Sequence, residues 1–508
     1  MAFSLTDLVT FGAFLGLVVG VSLYASRKEE SGEDYFLAGR GLSWWLIGVS
    51  LIASNISTEH FVGMAGSGFG EIGLAVASYE WAAAIALVLV ALVFLPRFLR
   101  LGLYTMPEFL EYRYGPTPRT VMAVYMMVAY VAVAIAAVLY SGAIGLQAIF
   151  GFDLIAGIWL IGLIAGAYTV YGGLKAVVWS DLIQGAALLL GGAFVAVIAL
   201  SEVGGLTAFM KGNQDKLHMV LDRDHPELPW TALLAGIWIP NIFYWGFNQF
   251  ICQRTLGARS LAEGQRGIMF AALIKLVIPF IIVFPGIMAF QLYGSEIANG
   301  DQAYPILIRN LVPSGVRGLL FGALFGAVMS SLDSMLNSAS TIFTIDIYKR
   351  FLRPAVGPHE LVRVGRVATA VFVLLGCVLA PLPGRFAGVF QYIQLVWGFI
   401  SPAVVSVFVV GLLVPRAPSS AATTALILGV PIYGCLLWLL PGVAFLNHMA
   451  VTAAVLVAVM MTITRARPLE TEPVWPSQGA VDLEPDRLAT AMGLVIVALT
   501  VALYLYFW

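Results

Sequence analysis

Residues 53–61 read ASNISTEHF, and six of these nine, Ser54, Asn55, Ser57, Thr58, Glu59 and His60, carry polar side chains. Hydroxyls, an amide, a carboxylate and an imidazole in one short run can hold a small ion or a polyhydroxylated molecule. The setting makes the run costly, because the residues around it from Leu42 to Ala65 are otherwise apolar enough to cross a bilayer. An unpartnered polar group in hydrocarbon costs several kcal/mol, so the cluster needs buried partners or a water-filled cavity.

Three other stretches carry groups that suit such a cavity. FGAVMSSLDSMLNSAS (325–340) places the Ser330 and Ser331 hydroxyls one turn beyond Ala327, so that one carbonyl and two hydroxyls face one point. Carbonyls released by a broken helix and neutral hydroxyls are hard oxygen donors that suit Na⁺. NIFYWGFNQ (241–249) offers the amides of Asn241, Asn248 and Gln249 and the flat faces of Tyr244 and Trp245, the means by which sugars are bound. Ionisable residues also stand inside apolar runs: Glu80 in ASYEW, Asp181, Lys275 halfway along its run, and Asp333 one turn past the serine pair. Intramembrane charge is expensive and marks function by default. Asn, Gln, His, Glu and Lys converging on one cavity favour a neutral polyol. An amino acid would instead want a helix N-terminus for its carboxylate and an acceptor for its ammonium. GMAGSG (63–68) reads as small residues that let helices approach closely.

The elements that must position these groups follow from composition. The chain has 508 residues, 60% hydrophobic and 11% charged, against about 45–50% and 25% in soluble domains. It is therefore a polytopic membrane protein of the all-α class. A net charge of −1 gives no electrostatic case for a nucleic-acid partner. Cys252, Cys377 and Cys435 lie in or beside apolar runs and read as buried small hydrophobes. The N-terminus lacks a basic region and a small-residue cleavage site, so residues 5–25 read as a retained helix. A span needs about 20 apolar residues, which gives fourteen: 5–25, 43–70, 74–95, 120–149, 153–172, 176–200, 230–252, 266–293, 315–345, 361–381, 386–414, 420–440, 445–464 and 488–507. Twenty of the 27 Lys and Arg fall in one set of connectors, six in the other, and Lys275 lies inside a span. Lys and Arg favour the cytoplasmic side, so both termini are expected outside.

Spans two to six and seven to eleven make two sets of five, each opening on a polar-interrupted helix. An odd number of spans turns the second set upside down relative to the first. Paired interruptions in inverted halves point to a binding site near the bilayer midplane. The expected divisions are 1–42 (an extra helix and connector), 43–201 (first repeat), 202–228 (outer loop), 229–415 (second repeat) and 416–508 (three additional helices).

At these residues the chain resembles the sodium/solute symporter family, and within it the sodium/glucose and sodium/galactose cotransporters. The resemblance runs from EDYFLAGRGLSWW (33–45) through the eleventh span. It is dense at IASNISTEHFVGMAGSG, ASYEW, YTVYGGLKAVVWSDLIQ, FYWGFNQFICQRTL, KLVIPF and SSLDSMLNSASTIFTIDIYKR. It implies a five-plus-five inverted-repeat core and Na⁺ as the coupling ion, with no organic cofactor. The family's sodium site would fall on the carbonyls of Ala53, Ile56 and Ala327 and the hydroxyls of Ser330 and Ser331. The sugar site would fall on His60, Glu80, Asn241, Lys275 and Gln394, with Asn55 beside it. Tyr244 matches the aromatic that blocks inward exit, with Trp245 next to it, and Met64, Tyr79 and Phe390 match an apolar outer cover. Asp333 and Ser334 stand where some members hold a second Na⁺ near an acid matching Asp181. The chain departs from the galactose type at His60, which is Gln there and His in animal glucose carriers, and at Ala83, which replaces a serine. Asn241 follows the bacterial pattern.

The resemblance implies a Na⁺-coupled importer of a neutral hexose in the plasma (inner) membrane, working by alternating access. A myo-inositol or polyol carrier is the alternative, and a sialic acid, amino acid or monocarboxylate carrier a remoter one. A sensor lacks its kinase segment, and no nucleophile–base pair supports an enzyme.

Overall fold

The computed structural model describes residues 4–25, 32–150, 152–382, 389–474 and 481–508, and among these no strand occurs. Helix is the expected result, because inside a bilayer only helices and closed barrels satisfy every backbone group. The main helices are α1 (Leu5–Ala25), α2 (Trp44–Asn55), α3 (Gly73–Leu101), α4 (Pro116–Ile144), α5 (Leu154–Glu202), α6 (Ala232–Phe247) and α7 (Gln249–Leu256). They continue as α8 (Leu261–Tyr293), α9 (Val316–Leu352), α10 (Pro358–Leu379), α11 (Ile393–Leu413), α12 (Ser419–Leu439), α13 (Phe445–Ala466) and α14 (Arg487–Tyr506). Side chains such as Leu190, Val197, Leu494 and Leu505 are exposed on the outside, as lipid-facing residues are.

Among the described residues, twelve stretches are long and apolar enough to cross a membrane, against the fourteen expected. The other two, 43–70 and 230–252, are present as shorter apolar helices because each is broken. In the first, α2 stops at Asn55, Ile56 is extended (φ −78°, ψ 106°), and the chain resumes as a wide turn at Glu59–Met64 that continues as Ala65–Phe69. In the second, α6 stops at Phe247, Asn248 is extended (φ −82°, ψ 122°), and α7 follows. Ser and Asn at these points compete with the backbone for hydrogen bonds, which disfavours an unbroken helix. The spans expected at 153–172 and 176–200 form the single element α5, bent at Gly173 (φ 50°, ψ −152°). A Cβ at Gly173 would also lie 2.4 Å from the Tyr35 carbonyl oxygen, so only glycine fits.

The breaks are held by the helices around them. α5 approaches α2 at Gly185, where an added Cβ would come within 2.8 Å of the Ala53 Cβ. α9 is buried without interruption from Phe325 to Ile342. Phe14 of α1 lies against Gly322 and Gly326 of α9. The last three helices attach at two places. α12 and α13 pack on α11, where the Ser406 hydroxyl donates to the Ala453 carbonyl at 3.3 Å. α14 lies on α3, with Tyr504 5.8 Å from Trp81 between ring centroids. Cys252 and Cys377 are buried as expected, but Cys435 is exposed on α12, a helix that turns much of its surface outward.

Candidate functional site

Where α2 ends, the Ile56 amide closes the last turn on the Ile52 carbonyl at 2.8 Å. The carbonyls that follow have no next turn of helix to bond to, the usual state of a helix C-terminus. Here that terminus lies in the interior: Ala53, Ser54, Ile56 and Ser57 are all buried. Against it stands the middle of α9, where Ala327, Ser330 and Ser331 are buried and the Ser331 hydroxyl donates to the Ser54 carbonyl at 3.4 Å. One hydroxyl of α9, that of Ser331, thus meets a backbone oxygen at the end of α2, while the Ser330 hydroxyl donates to Asp181.

Beside this point is a cavity of about 110 Å³, room for several waters. Asn55, Glu59, His60, Met64, Tyr79, Glu80, Asn241, Tyr244, Trp245, Lys275, Ser331 and Gln394 line it, so six elements distant in sequence contribute. A buried ionic chain runs along its wall. Lys275 on α8 donates to the Glu80 carboxylate on α3 at 2.5 Å and also to the Asn55 side-chain carbonyl. His60 Nε2 lies 3.5 Å from the other Glu80 oxygen. The Asn55 amide donates to the Tyr244 hydroxyl at 3.2 Å. The Lys275 ammonium stands 5.0 Å from the Trp245 ring centroid, a favourable cation–π position. The two broken helices are therefore joined through Asn55 and Tyr244. All six residues expected to address sugar line this cavity. Of the expected gating residues Met64, Tyr79, Tyr244 and Trp245 line it too, while the side chain of Phe390 lies outside the described residues.

The candidate second ion position is arranged differently from the expectation. The Asp181 carboxylate accepts from Ser50 at 2.5 Å, from Ser54 at 3.1 Å and from Ser330. Ser334 meets Ser54 at 3.0 Å. A cation already stands among them. Arg254 on α7 is 1% exposed, pairs with Asp181 at 3.1 Å, and donates to Ser50 at 2.6 Å and to Ser54 and Ser334. Asp333 accepts from Thr169 at 2.8 Å. Ser330 and Ser334 share a helix face, whereas Asp333 is turned about 100° from Ser334 around the axis.

Comparison with known proteins decides the family. The profile of the sodium:solute symporter family matches residues 35–429. A sodium/glucose cotransporter of Vibrio parahaemolyticus is 40% identical over 99% of this chain and 98% of its own length. The chain belongs to the sodium:solute symporter family. It is thus a transporter and not an enzyme, and Na⁺ is its coupling ion. A sodium/glucose cotransporter 2 of Rattus norvegicus is 35% identical over 84% of this chain and 70% of its own. A sodium/myo-inositol cotransporter 2 of Oryctolagus cuniculus is 34% identical over 82% and 67%. Among solved structures, a Na⁺-coupled sialic acid symporter in a substrate-bound outward-open state superposes with a TM-score of 0.82 at 23% identity, covering 93% of this chain and all of its own. This likeness shows a shared fold, the inverted-repeat core expected of the family.

Sequence reasoning missed two residues of this symporter's site. Arg254 reads as one more connector cation, yet it lies six residues past the break at Asn248 in a helix whose Gln249, Gln253 and Arg254 are all buried. That run of polar residues beside a break was the available signal. Glu59 was noted in the polar run but given no role, and its side chain lines the cavity.

Proposed function

We propose that this symporter imports a neutral hexose with Na⁺ by alternating access. The observation that supports it best is the Lys275–Glu80–His60 chain with Asn55, Asn241 and Gln394 around one cavity, whose wall includes Ser331 from the sodium side. A neutral sugar presents hydroxyls that both donate and accept, which matches a wall of amides, carboxylate and ammonium, while Trp245 and Tyr244 supply flat faces for its C–H surface. In this reading Na⁺ is held by the Ala53, Ile56 and Ala327 carbonyls and the Ser330 and Ser331 hydroxyls. Coupling follows from adjacency. Asn55 lies between the sodium carbonyls and the cavity, so an ion that fixes the end of α2 also fixes Asn55 for the sugar. Linkage requires sugar to tighten Na⁺ binding by the same factor. The inward membrane potential adds about 2.3 kcal/mol per charge per 100 mV. When Na⁺ leaves, the end of α2 loosens, Asn55 releases Tyr244, and the tyrosine yields the inward path. Both termini lie outside and the Lys- and Arg-rich connectors face the cytoplasm of the plasma membrane.

A polyol such as myo-inositol is the second reading. It is favoured by the likeness to sodium/myo-inositol cotransporters at 34% identity and by a wall whose groups address hydroxyls without requiring a ring oxygen. Uptake of labelled glucose, galactose and myo-inositol into proteoliposomes under an inward Na⁺ gradient tests both. Accumulation of a hexose that vanishes when K⁺ replaces Na⁺ is the expected result. Accumulation of myo-inositol alone would replace the first reading with the second.

A further inference from the structure

Four ionisable side chains line the cavity: Glu59, His60, Glu80 and Lys275. Three of them are committed to one another. Lys275 pairs with Glu80 at 2.5 Å, and His60 faces the other Glu80 oxygen at 3.5 Å. The single ammonium is thereby matched by a single carboxylate. Glu59 stands apart. It opens the outer half of the broken helix, and its backbone N–H donates to the Ser57 hydroxyl at 3.2 Å. Its carboxylate is half-buried, faces the cavity, and has no hydrogen-bond or ion-pair partner among the described residues. The nearby Asp181 charge is answered by Arg254 behind Ser54. Lys275 and Glu80 thus balance each other, and Glu59 is the cavity carboxyl without a counter-charge beside it.

We infer that Glu59 is a specificity-determining residue that faces the substrate: it accepts hydrogen bonds from hydroxyls of a neutral polyol and excludes sugars that bear a carboxylate. The chemistry follows from the geometry. An ionised carboxylate is acceptor-only, with about four lone-pair sites, so it binds hydroxyl hydrogens and finds no donor in a substrate's carboxylate group. Its hydrogen bonds are charge-assisted and stronger than those of an amide. A like charge brought into a confined, weakly solvated cavity is repelled far more than in water. The same charge would attract an ammonium, so an aminohexose should bind at least as tightly as the parent hexose. This inference rests on the sugar-binding reading of the cavity and narrows it to neutral and cationic sugars.

The test is binding to the purified protein at saturating Na⁺, followed by calorimetry or by the fluorescence of the cavity tryptophans. The probes are glucose, glucosamine and glucuronate, and the proteins are the wild type, Glu59→Gln and Glu59→Asp. The wild type should bind glucose and glucosamine and bind glucuronate at least a hundredfold more weakly. Glu59→Gln should weaken glucose about tenfold, weaken glucosamine more, and tighten glucuronate, so that the discrimination narrows at least tenfold. Glu59→Asp keeps the charge but withdraws it by one methylene. It should keep the rejection of glucuronate while losing glucose affinity, and it serves if the glutamine variant does not fold. Unchanged discrimination in Glu59→Gln, with glucose still bound by the wild type, would overturn the role of Glu59 and leave the sugar reading intact. Wild-type protein that binds glucuronate as well as glucose would overturn it too. A wild type that binds none of the three while Na⁺ still binds would remove the sugar reading and this inference together.

Discussion

At the scale of single residues, two kinds of group meet at the break and should fail differently. Ser331 touches the Ser54 carbonyl and lines the cavity wall, and in the proposed reading its hydroxyl serves the ion first. Lys275 is 1% exposed and held by Glu80 and Asn55, so its ammonium serves the sugar wall and the fold. Removing one partner of a buried ion pair typically costs about 3–5 kcal/mol, because the other charge is left uncompensated. Ser331→Ala should raise the Na⁺ concentration for half-maximal binding roughly tenfold, about 1.4 kcal/mol, with little loss of thermal stability. Lys275→Ala should weaken sugar binding far more than Na⁺ binding and lower the melting temperature markedly. Isotherms for both ligands on both variants, with a melting curve, decide it. Parallel losses of Na⁺ and sugar affinity in the two variants would contradict the division of labour.

At the scale of elements, the breaks were legible and the partners were not. Ser54, Asn55 and His60 in one apolar run, and Asn241 to Gln249 in another, violate the rule that spans avoid polar groups, and a violation can be read from one strand of sequence. What sits opposite a polar group depends on the register between helices, and local sequence does not carry that. Arg254 is 73 residues from Asp181, on a helix too short to read as a span, so their pairing came only with the fold. The rotation of Asp333 away from Ser334 is calculable from helical geometry, but its choice of Thr169 depends on how α5 bends at Gly173. Twelve of the expected spans appear among the described residues because about 20 apolar residues have few other uses, two of them joined at the bend, while the two broken ones appear only as shorter helices. The Asp181 hub gives the prediction at this scale. Its carboxylate accepts from Ser330, a hydroxyl of the proposed sodium site, and from Ser54, whose carbonyl meets Ser331. Groups that orient ligands in this way are typically worth about 10–100-fold in metal affinity. Asp181→Asn should therefore weaken Na⁺ binding at least tenfold. Because Arg254 is then left buried without its counter-charge, adding Arg254→Gln should restore stability, with a coupling of about 1–3 kcal/mol in a double-mutant cycle. Additive effects on stability would show that the pair is not coupled.

At the scale of the whole molecule, the two halves are tied together on the face that carries most of the Lys and Arg. Arg119 at the start of α4 pairs with Asp346 of α9 at 2.6 Å, with Glu108 at 3.3 Å and with Glu111, and Arg350 reaches Glu111 at 2.9 Å. Arg113, 2% exposed, donates to the carbonyls of Gly411, Val414, Pro415 and Ala417 at the end of α11. These bonds join the first repeat to the second, and α9 is the helix that carries Ser330 and Ser331. A transporter that alternates must loosen some of them when this face opens, so they set part of the free-energy difference between its states. Asp346 is fully buried, and one of its carboxylate oxygens has no hydrogen-bond partner among the described residues. Its stability in the closed arrangement thus leans on Arg119. Arg119→Gln should then favour opening of this face, and each 1.4 kcal/mol lost from the closed state is a tenfold shift in population. Cys252 is a native reporter: it lies on α7 between the cavity and this face, 2% exposed, its thiol directed at the Trp245 carbonyl. With Cys377 and Cys435 replaced by Ser, a membrane-impermeant maleimide should label Cys252 slowly in the parent and several-fold faster in Arg119→Gln. The faster labelling should occur only when the reagent is applied from the cytoplasmic side, and saturating Na⁺ with sugar should change its rate. Equal rates in the two proteins would mean that the Arg119 cluster does not hold this face closed. Acceleration from the opposite side would place the Lys- and Arg-rich face outside and reverse the orientation of the whole chain.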